Sequence, residues 1–150
     1  MTGLSEKPNL YSGRFSFAID EKRRTQIPSK WRPEAAEAEY VVVLWRHKAG
    51  NCLRVLDKNG LDRLEKRLEA LPPDSEQRDA FRRLYGGDSE VVKLHGGRIT
   101  LPGWLAEEAS LRDQAVLVGV FNCFEIWNPE LFAESRKADL ETTRNVVFSF

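Results

Sequence analysis

The chain has 150 residues, 41% of them apolar and 31% charged, and its 23 Lys and Arg balance 23 Asp and Glu. That length supports one domain with a real core or two small halves that share one. The composition suits a soluble globular protein and excludes a membrane span, since no run approaches about 18 apolar residues. With no basic region followed by an apolar stretch at the start, the chain is read as cytosolic.

Residues 1–10 have no periodic pattern and are expected to form a loose leader. The segment 11–57 opens on an alternating run that ends in Asp20-Glu21-Lys22-Arg23-Arg24, and Arg24 to Pro28 spells Arg-x-x-Ile-Pro. The same phrase returns as Arg98 to Pro102, at one offset of 74 residues (98 minus 24, 102 minus 28). Val41-Val42-Val43-Leu44-Trp45 then lies over Val116-Leu117-Val118-Gly119-Val120, and Leu53-Arg54-Val55-Leu56 over Phe124-Glu125-Ile126-Trp127. Short apolar runs bounded by Gly, Asn and Asp are strand signals. Each repeat, 11–57 and 88–128, is therefore predicted as strand, turn, short strand, short helix, strand, turn, strand.

Between the repeats, 58–87 is predicted as a helical linker. Leu61, Leu64, Leu68 and Leu71 form one stripe, with Asn59-Gly60 before it and Pro72-Pro73 after it. A second helix is capped by Asp74 or Ser75, carries Ala80, Phe81, Leu84 and Tyr85, and stops at Gly86-Gly87. In 129–150, Asn128 caps a last helix with Pro129 in its first turn and Leu131, Phe132 and Leu140 facing inward. Val146 to Phe150 is apolar enough to dock on a neighbour or to pack as an end strand. The fold class is thus mostly β with helices.

Chemistry is sparse outside the first turn. Cys52 and Cys123 are read as buried thiols, since two lone cysteines make neither a disulfide framework nor a four-ligand metal site. His47 and His95 are the two histidines, and His95 is read as a surface turn residue. No nucleophile elbow, phosphate loop or zinc-protease motif occurs. Glu107-Glu108 reads as a solvated helix face, and Trp31, Trp45, Trp104 and Trp127 as core or subunit packing. We expect no catalytic residue, metal site, cofactor or small-molecule substrate.

Cations, by contrast, cluster. Arg14, Lys22, Arg23, Arg24, Lys30 and Arg32 crowd the opening of the first repeat, and Arg46, His47 and Lys48 follow in a second basic turn. Glu34, Glu37 and Glu39 gather the acid elsewhere, which predicts a polarised surface. Three consecutive cations repel one another, and an anionic partner would offset this. A β-ribbon fits the major groove of B-DNA, where Arg can pair with guanine, and Asp20 could orient an arginine. A solvated turn with an ordinary surface ion pair is the plainer reading. The second copy, Lys93-Leu94-His95-Gly96-Gly97-Arg98, keeps the turn shape and loses most of the charge.

These motifs, with Phe81-Arg82-Arg83-Leu84-Tyr85-Gly86-Gly87 and the run from Val116 to Trp127, resemble the MraZ family over roughly Tyr11 to Leu140. The resemblance implies a bacterial transcription factor of the AbrB-like swapped-hairpin superfold, with two Asp-x-x-x-Arg repeats per chain. It also implies regulation, generally repression, of the division and cell wall gene cluster. The binding mode implied is to short direct repeats in double-stranded DNA, by a ring-shaped homo-oligomer associated with the nucleoid. Carried over residue by residue, Lys22, Arg23 and Arg24 contact DNA, with Arg14 beside them, Asp20 orients and Arg98 is a weaker contact. The family's first turn usually has glycine where Arg23 stands, which predicts a wider turn here. Leu94 occupies the second aspartate position, so the second copy is expected to be chiefly architectural. A scaffold module that pairs with partner hairpins and an RNA binder are the alternatives.

Overall fold

The computed structural model describes residues 10–34 and 38–149. The leader, Glu37 and Phe150 lie outside the described residues, except for Leu10. The fold is mixed α+β with antiparallel sheets, as expected. In chain order it runs β1 (Arg14–Ala18), β2 (Arg24–Gln26), a 3₁₀ turn (Ser29–Trp31), β3 (Glu39–Trp45), β4 (Cys52–Leu56), α1 (Lys58–Glu69) and α2 (Glu76–Gly87). Then come β5 (Ser89–Lys93), β6 (Arg98–Thr100), α3 (Gly103–Glu108), β7 (Gln114–Gly119), β8 (Phe124–Trp127) and α4 (Pro129–Thr143).

Strands from the two repeats interleave. The six-stranded sheet has the order β1-β7-β8-β4-β3-β5, and β2 pairs with β6 in a separate two-stranded ribbon. Each repeat thus gives its first strand to the other: β1 pairs with β7 and β5 with β3, all antiparallel. β4 and β8 meet at the centre, where Arg54 lies opposite Glu125. The order reads the same from either end once equivalent strands are exchanged, so a pseudo-twofold axis runs between β4 and β8 and between β2 and β6. The outer sides of β1 and β5 are the edges of the sheet.

Alternation explains the layering. Val42, Leu44, Leu53, Val55, Leu117, Phe124 and Ile126 point to one face, where Trp31, Ile27, Ile99, Leu101 and Leu105 cover them in a single buried cluster. Trp31 is 1% exposed, packs edge-on to Tyr11 and Phe15, and donates its indole N–H to the Ser12 carbonyl at 3.2 Å. The backbone of Tyr11 crosses Gly119 so closely that a Cβ there would overlap it. On the opposite face Val43, Leu56 and Cys123 pack beneath Leu61 and Leu64 of α1 and Tyr85 of α2. The ribbon therefore sits on one side of the sheet and the helical hairpin on the other.

The helices refine several expectations. α1 begins at Lys58, because the Asp57 carboxylate caps the Gly60 N–H at 2.9 Å, so Asn59 and Gly60 lie inside its first turn. Ser75 caps α2 as expected, but the helix continues through Gly86 and Gly87 and closes at Asp88, whose N–H reaches the Leu84 carbonyl. Asn128 caps α4 through the N–H groups of Glu130 and Leu131, with Pro129 in the first turn. Leu140, expected to face inward, is 61% exposed and lies outside the core. Val146 to Ser149 form no strand, and Val147 is 92% exposed. Trp104, expected in core or subunit packing, is 46% exposed and so outside the core of the chain, its indole held at the surface by the Glu90 carboxylate at 2.9 Å. Among the described residues no helix is long and apolar enough to cross a membrane.

Candidate nucleic-acid interface

The two repeated phrases close different turns. In the first, Asp20 N–H donates to the Arg24 carbonyl at 3.0 Å and Arg23 N–H to the Asp20 carbonyl at 2.9 Å. That leaves a three-residue loop, Glu21 to Arg23. Arg23 itself adopts the left-handed conformation at φ 62°, at a cost that glycine would avoid.

In the second, His95 and Arg98 exchange both backbone hydrogen bonds, at 2.8 and 3.0 Å, around Gly96 and Gly97. Their φ values of 57° and 76° fit the two-residue hairpin turn that glycine favours. The second copy does not keep the shape of the first: it is one residue tighter. Leu94, at the aspartate position, is 3% exposed and belongs to the core.

Asp20 organises the first turn. Its Oδ1 accepts the N–H groups of Lys22 at 2.9 Å and Arg24 at 2.8 Å, and its Oδ2 accepts Arg24 Nε at 2.7 Å. The Arg24 backbone N–H, above all, holds the Asp20 carboxyl below its usual range; the Arg24 side chain and Lys22 N–H act in the same direction, against partial desolvation. Because only Nε is engaged, the two η nitrogens of Arg24 have no acceptor among the described residues.

The β2–β6 ribbon gathers what the phrases hold apart in sequence. Arg24 lies opposite Thr100, Thr25 opposite Ile99 and Gln26 opposite Arg98. Thr25 and Ile99 are 1% exposed and point into the protein, so Arg24, Gln26, Arg98 and Thr100 form the outward face. Arg24, Arg98, Thr100, Lys93, His95 and Gly96 line one shallow depression that contains no carboxylate. Lys93 and His95 were not among the sequence candidates. Their signal was the alternation around buried Val92 and Leu94, which turns both outward, but only folding brings them beside Arg24.

The remaining candidates divide. Lys22 is exposed at the turn tip, and its side chain has no partner among the described residues. Arg23 folds back, donating Nε to the Leu101 carbonyl at 3.1 Å and lying against Gly103. Arg14 is not gathered into the turn: it starts β1, opposite Val118, with its guanidinium 5.9 Å from the Phe132 ring. The turn follows the other end of that five-residue strand, roughly 17 Å away. The second basic turn is occupied by its own chain, as Arg46 pairs with Asp88 at 2.9 Å, His47 with Asp139 at 2.9 Å and Lys48 with Thr142 at 2.7 Å.

Other chemistry is quiet. Cys52 and Cys123 are buried free thiols, and burial pushes Cys123 up to about 11 and Cys52 higher still. Among the described residues no group of three or more His, Cys, Asp or Glu is placed to hold a metal ion.

Comparison with known proteins bears on this geometry. Residues 94–145 match a family model described as "MraZ protein, putative antitoxin-like". Over 126 residues the chain is 32% identical to a protein of Rickettsia typhi named Transcriptional regulator MraZ, covering 83% of this chain and 85% of the relative. Proteins of the same name from Rickettsia rickettsii and Rickettsia bellii are each 31% identical, over 83% and 84% of this chain and 85% and 86% of their own lengths.

Proposed function

Because this chain belongs to the MraZ family, we propose that it is a transcriptional regulator that binds double-stranded DNA through the outward face of the β2–β6 ribbon. The observation that carries this reading is the cluster of Arg24 and Arg98 on an exposed antiparallel ribbon with Lys93 and His95 beside them, in which Asp20 holds Arg24 by Nε alone. A two-stranded ribbon fits the major groove, about 12 Å wide, and the paired η nitrogens of an arginine match O6 and N7 of guanine. Asp20 holds Arg24 at Nε and so aims those nitrogens outward. Arg24 is the base-reading residue, Arg98 its pseudo-symmetric counterpart, and Lys22 a phosphate contact.

The chain acts as a sequence-specific repressor of the division and cell wall gene cluster, binding short direct repeats as a ring of copies. With equal numbers of acidic and basic residues, one subunit has little general attraction for DNA. Several subunits on spaced repeats raise affinity through effective concentration. Exposed Val91 on the β5 edge and Phe121 in the β7–β8 turn, 61% and 72% accessible, supply apolar contact area for head-to-tail assembly.

The test is selection of bound genomic fragments, followed by a salt titration on the recovered duplex. Recovered fragments should share short direct repeats, and affinity should fall steeply with salt. Binding that is flat with salt would instead fit a scaffold module. Equal binding to the same sequence as RNA duplex would exclude major-groove reading, since the A-form major groove is too narrow to admit side chains.

A further inference from the structure

The pseudo-twofold axis relates more than the two phrases. Ile27 and Leu101 occupy equivalent places, each before the proline, and each donates its N–H to the opposite turn: Ile27 to the Gly97 carbonyl at 2.9 Å and Leu101 to the Arg23 carbonyl at 2.8 Å. Beside each of these residues lies a notch between a turn and the helical segment that follows the phrase. A guanidinium fills both notches. In the first it belongs to the turn residue, Arg23, whose Nε reaches the Leu101 carbonyl. In the second the turn residue is Gly97, and the guanidinium comes from Arg32, whose Nε reaches the Ile27 carbonyl at 2.8 Å and whose Cζ lies 2.5 Å from where a Gly97 Cβ would sit.

We infer that Arg32 is a phosphate-binding residue that supplies the second turn with the cation its own motif lacks, so that the ribbon grips the DNA backbone at both ends. The inference rests on the DNA-binding reading above. A guanidinium has five N–H donors, and the carbonyl uses one. Arg32 is exposed and has no carboxylate partner among the described residues, and the same holds for Arg23. Because β2 and β6 run antiparallel, the two notches lie at opposite ends of a ribbon roughly 10 Å long. That span is comparable with the width of the major groove, whose two walls are phosphate backbones. A clasp for the turn would explain one hydrogen bond. It would not explain the same charge arriving in equivalent notches from two different sequence positions.

The experiment measures binding of the full chain to a recovered fragment and to a random duplex across a salt series. Arg32→Ala should weaken both alike and reduce the log affinity against log salt slope by about 0.9. Arg32→Lys should keep the slope. Arg32→Ala with Gly97→Arg moves the cation to the place Arg23 holds in the first turn, and should restore the lost slope. An unchanged slope in Arg32→Ala, or the same loss in Arg32→Lys as in Arg32→Ala, overturns the inference and leaves a clasp. Arg24→Ala measured alongside separates the two levels: if it is also silent on both duplexes, the ribbon reading itself falls.

Discussion

Arg24→Ala tests whether the first turn reads bases or only phosphate. In the structure the Asp20 carboxylate takes Nε of Arg24, which leaves the two η nitrogens without an acceptor among the described residues. A bidentate arginine to guanine contact discriminates by about 1–3 kcal/mol, which is about 5- to 150-fold in affinity. An unrestrained arginine would lose up to about 2 kcal/mol of side-chain freedom on binding, and the Asp20 hydrogen bond has already ordered part of that chain. The expected loss therefore falls in the upper half of the range. It should be read by fluorescence anisotropy on the recovered fragment and on a random duplex at one salt concentration. The recovered fragment should lose most of its preference, whereas random duplex binding should lose at most the contribution of one phosphate contact. Arg24→Lys should retain random binding and still lose preference, because an ammonium cannot present the paired donors. Equal losses on both duplexes would show Arg24 to be a backbone contact and not a base contact.

Further outcomes follow from three sets of buried groups. Glu125, 8% exposed, accepts Trp127 Nε1 at 2.8 Å and Arg54 Nε at 2.7 Å, so Arg54→Ala should destabilise, by less than the roughly 3–5 kcal/mol of a fully buried pair because the Arg54 side chain is part-exposed. Arg54→Met with Glu125→Gln should cost clearly less, and urea denaturation that shows equal losses would contradict this account of the pair. The Tyr40 hydroxyl is buried with no hydrogen-bond partner among the described residues, so Tyr40→Phe should be neutral or stabilise by about 1 kcal/mol; a fall in Tm would mean that the hydroxyl is satisfied. Burial raises Tyr40 to about 12 from an ordinary value near 10. Its preference for the protonated fold is therefore present below pH 10 and is lost as pH rises from 10 through 12, and Tyr40→Phe should flatten that alkaline limb. Cys52 and Cys123 are both raised by burial, so at pH 8 neither should react with a thiol reagent until the protein unfolds; rapid labelling of the native chain would show the thiols to be accessible.

Much of the local structure was legible in the sequence. The alternating runs became strands, Ser75 and Asn128 became caps, and both cysteines were buried, because these features depend on side-chain periodicity and on bonds to neighbours a few residues away. The ends of the helices were less legible. Asp57, an unremarked residue before the glycine, moved the start of α1, and Asp88 let α2 run through two glycines. At the candidate interface the sequence pointed to the first turn and to the Asp20–Arg24 pair, a contact four residues long. It also suggested that the second turn lacked charge, which holds for the motif and not for the space around it.

What the chain's own order determined was therefore the doubled phrase, its alternation and its cluster of cations. Which of those cations share a surface depends on how the strands pair. Exchange of β1 and β5 between the repeats pairs β2 with β6, and that pairing turns Arg24 and Arg98 to one face and sets Lys93 and His95 beside them. The same folding carries Arg14 to the far end of β1 and seats Arg32 on Gly97, 65 positions further along the chain (97 minus 32). Side-chain periodicity says which face of a strand is buried but not which strand lies beside it. Burial of the common core beneath Trp31, Ile27 and Leu101 selects the partner, and the charge pattern of the surface follows from that choice.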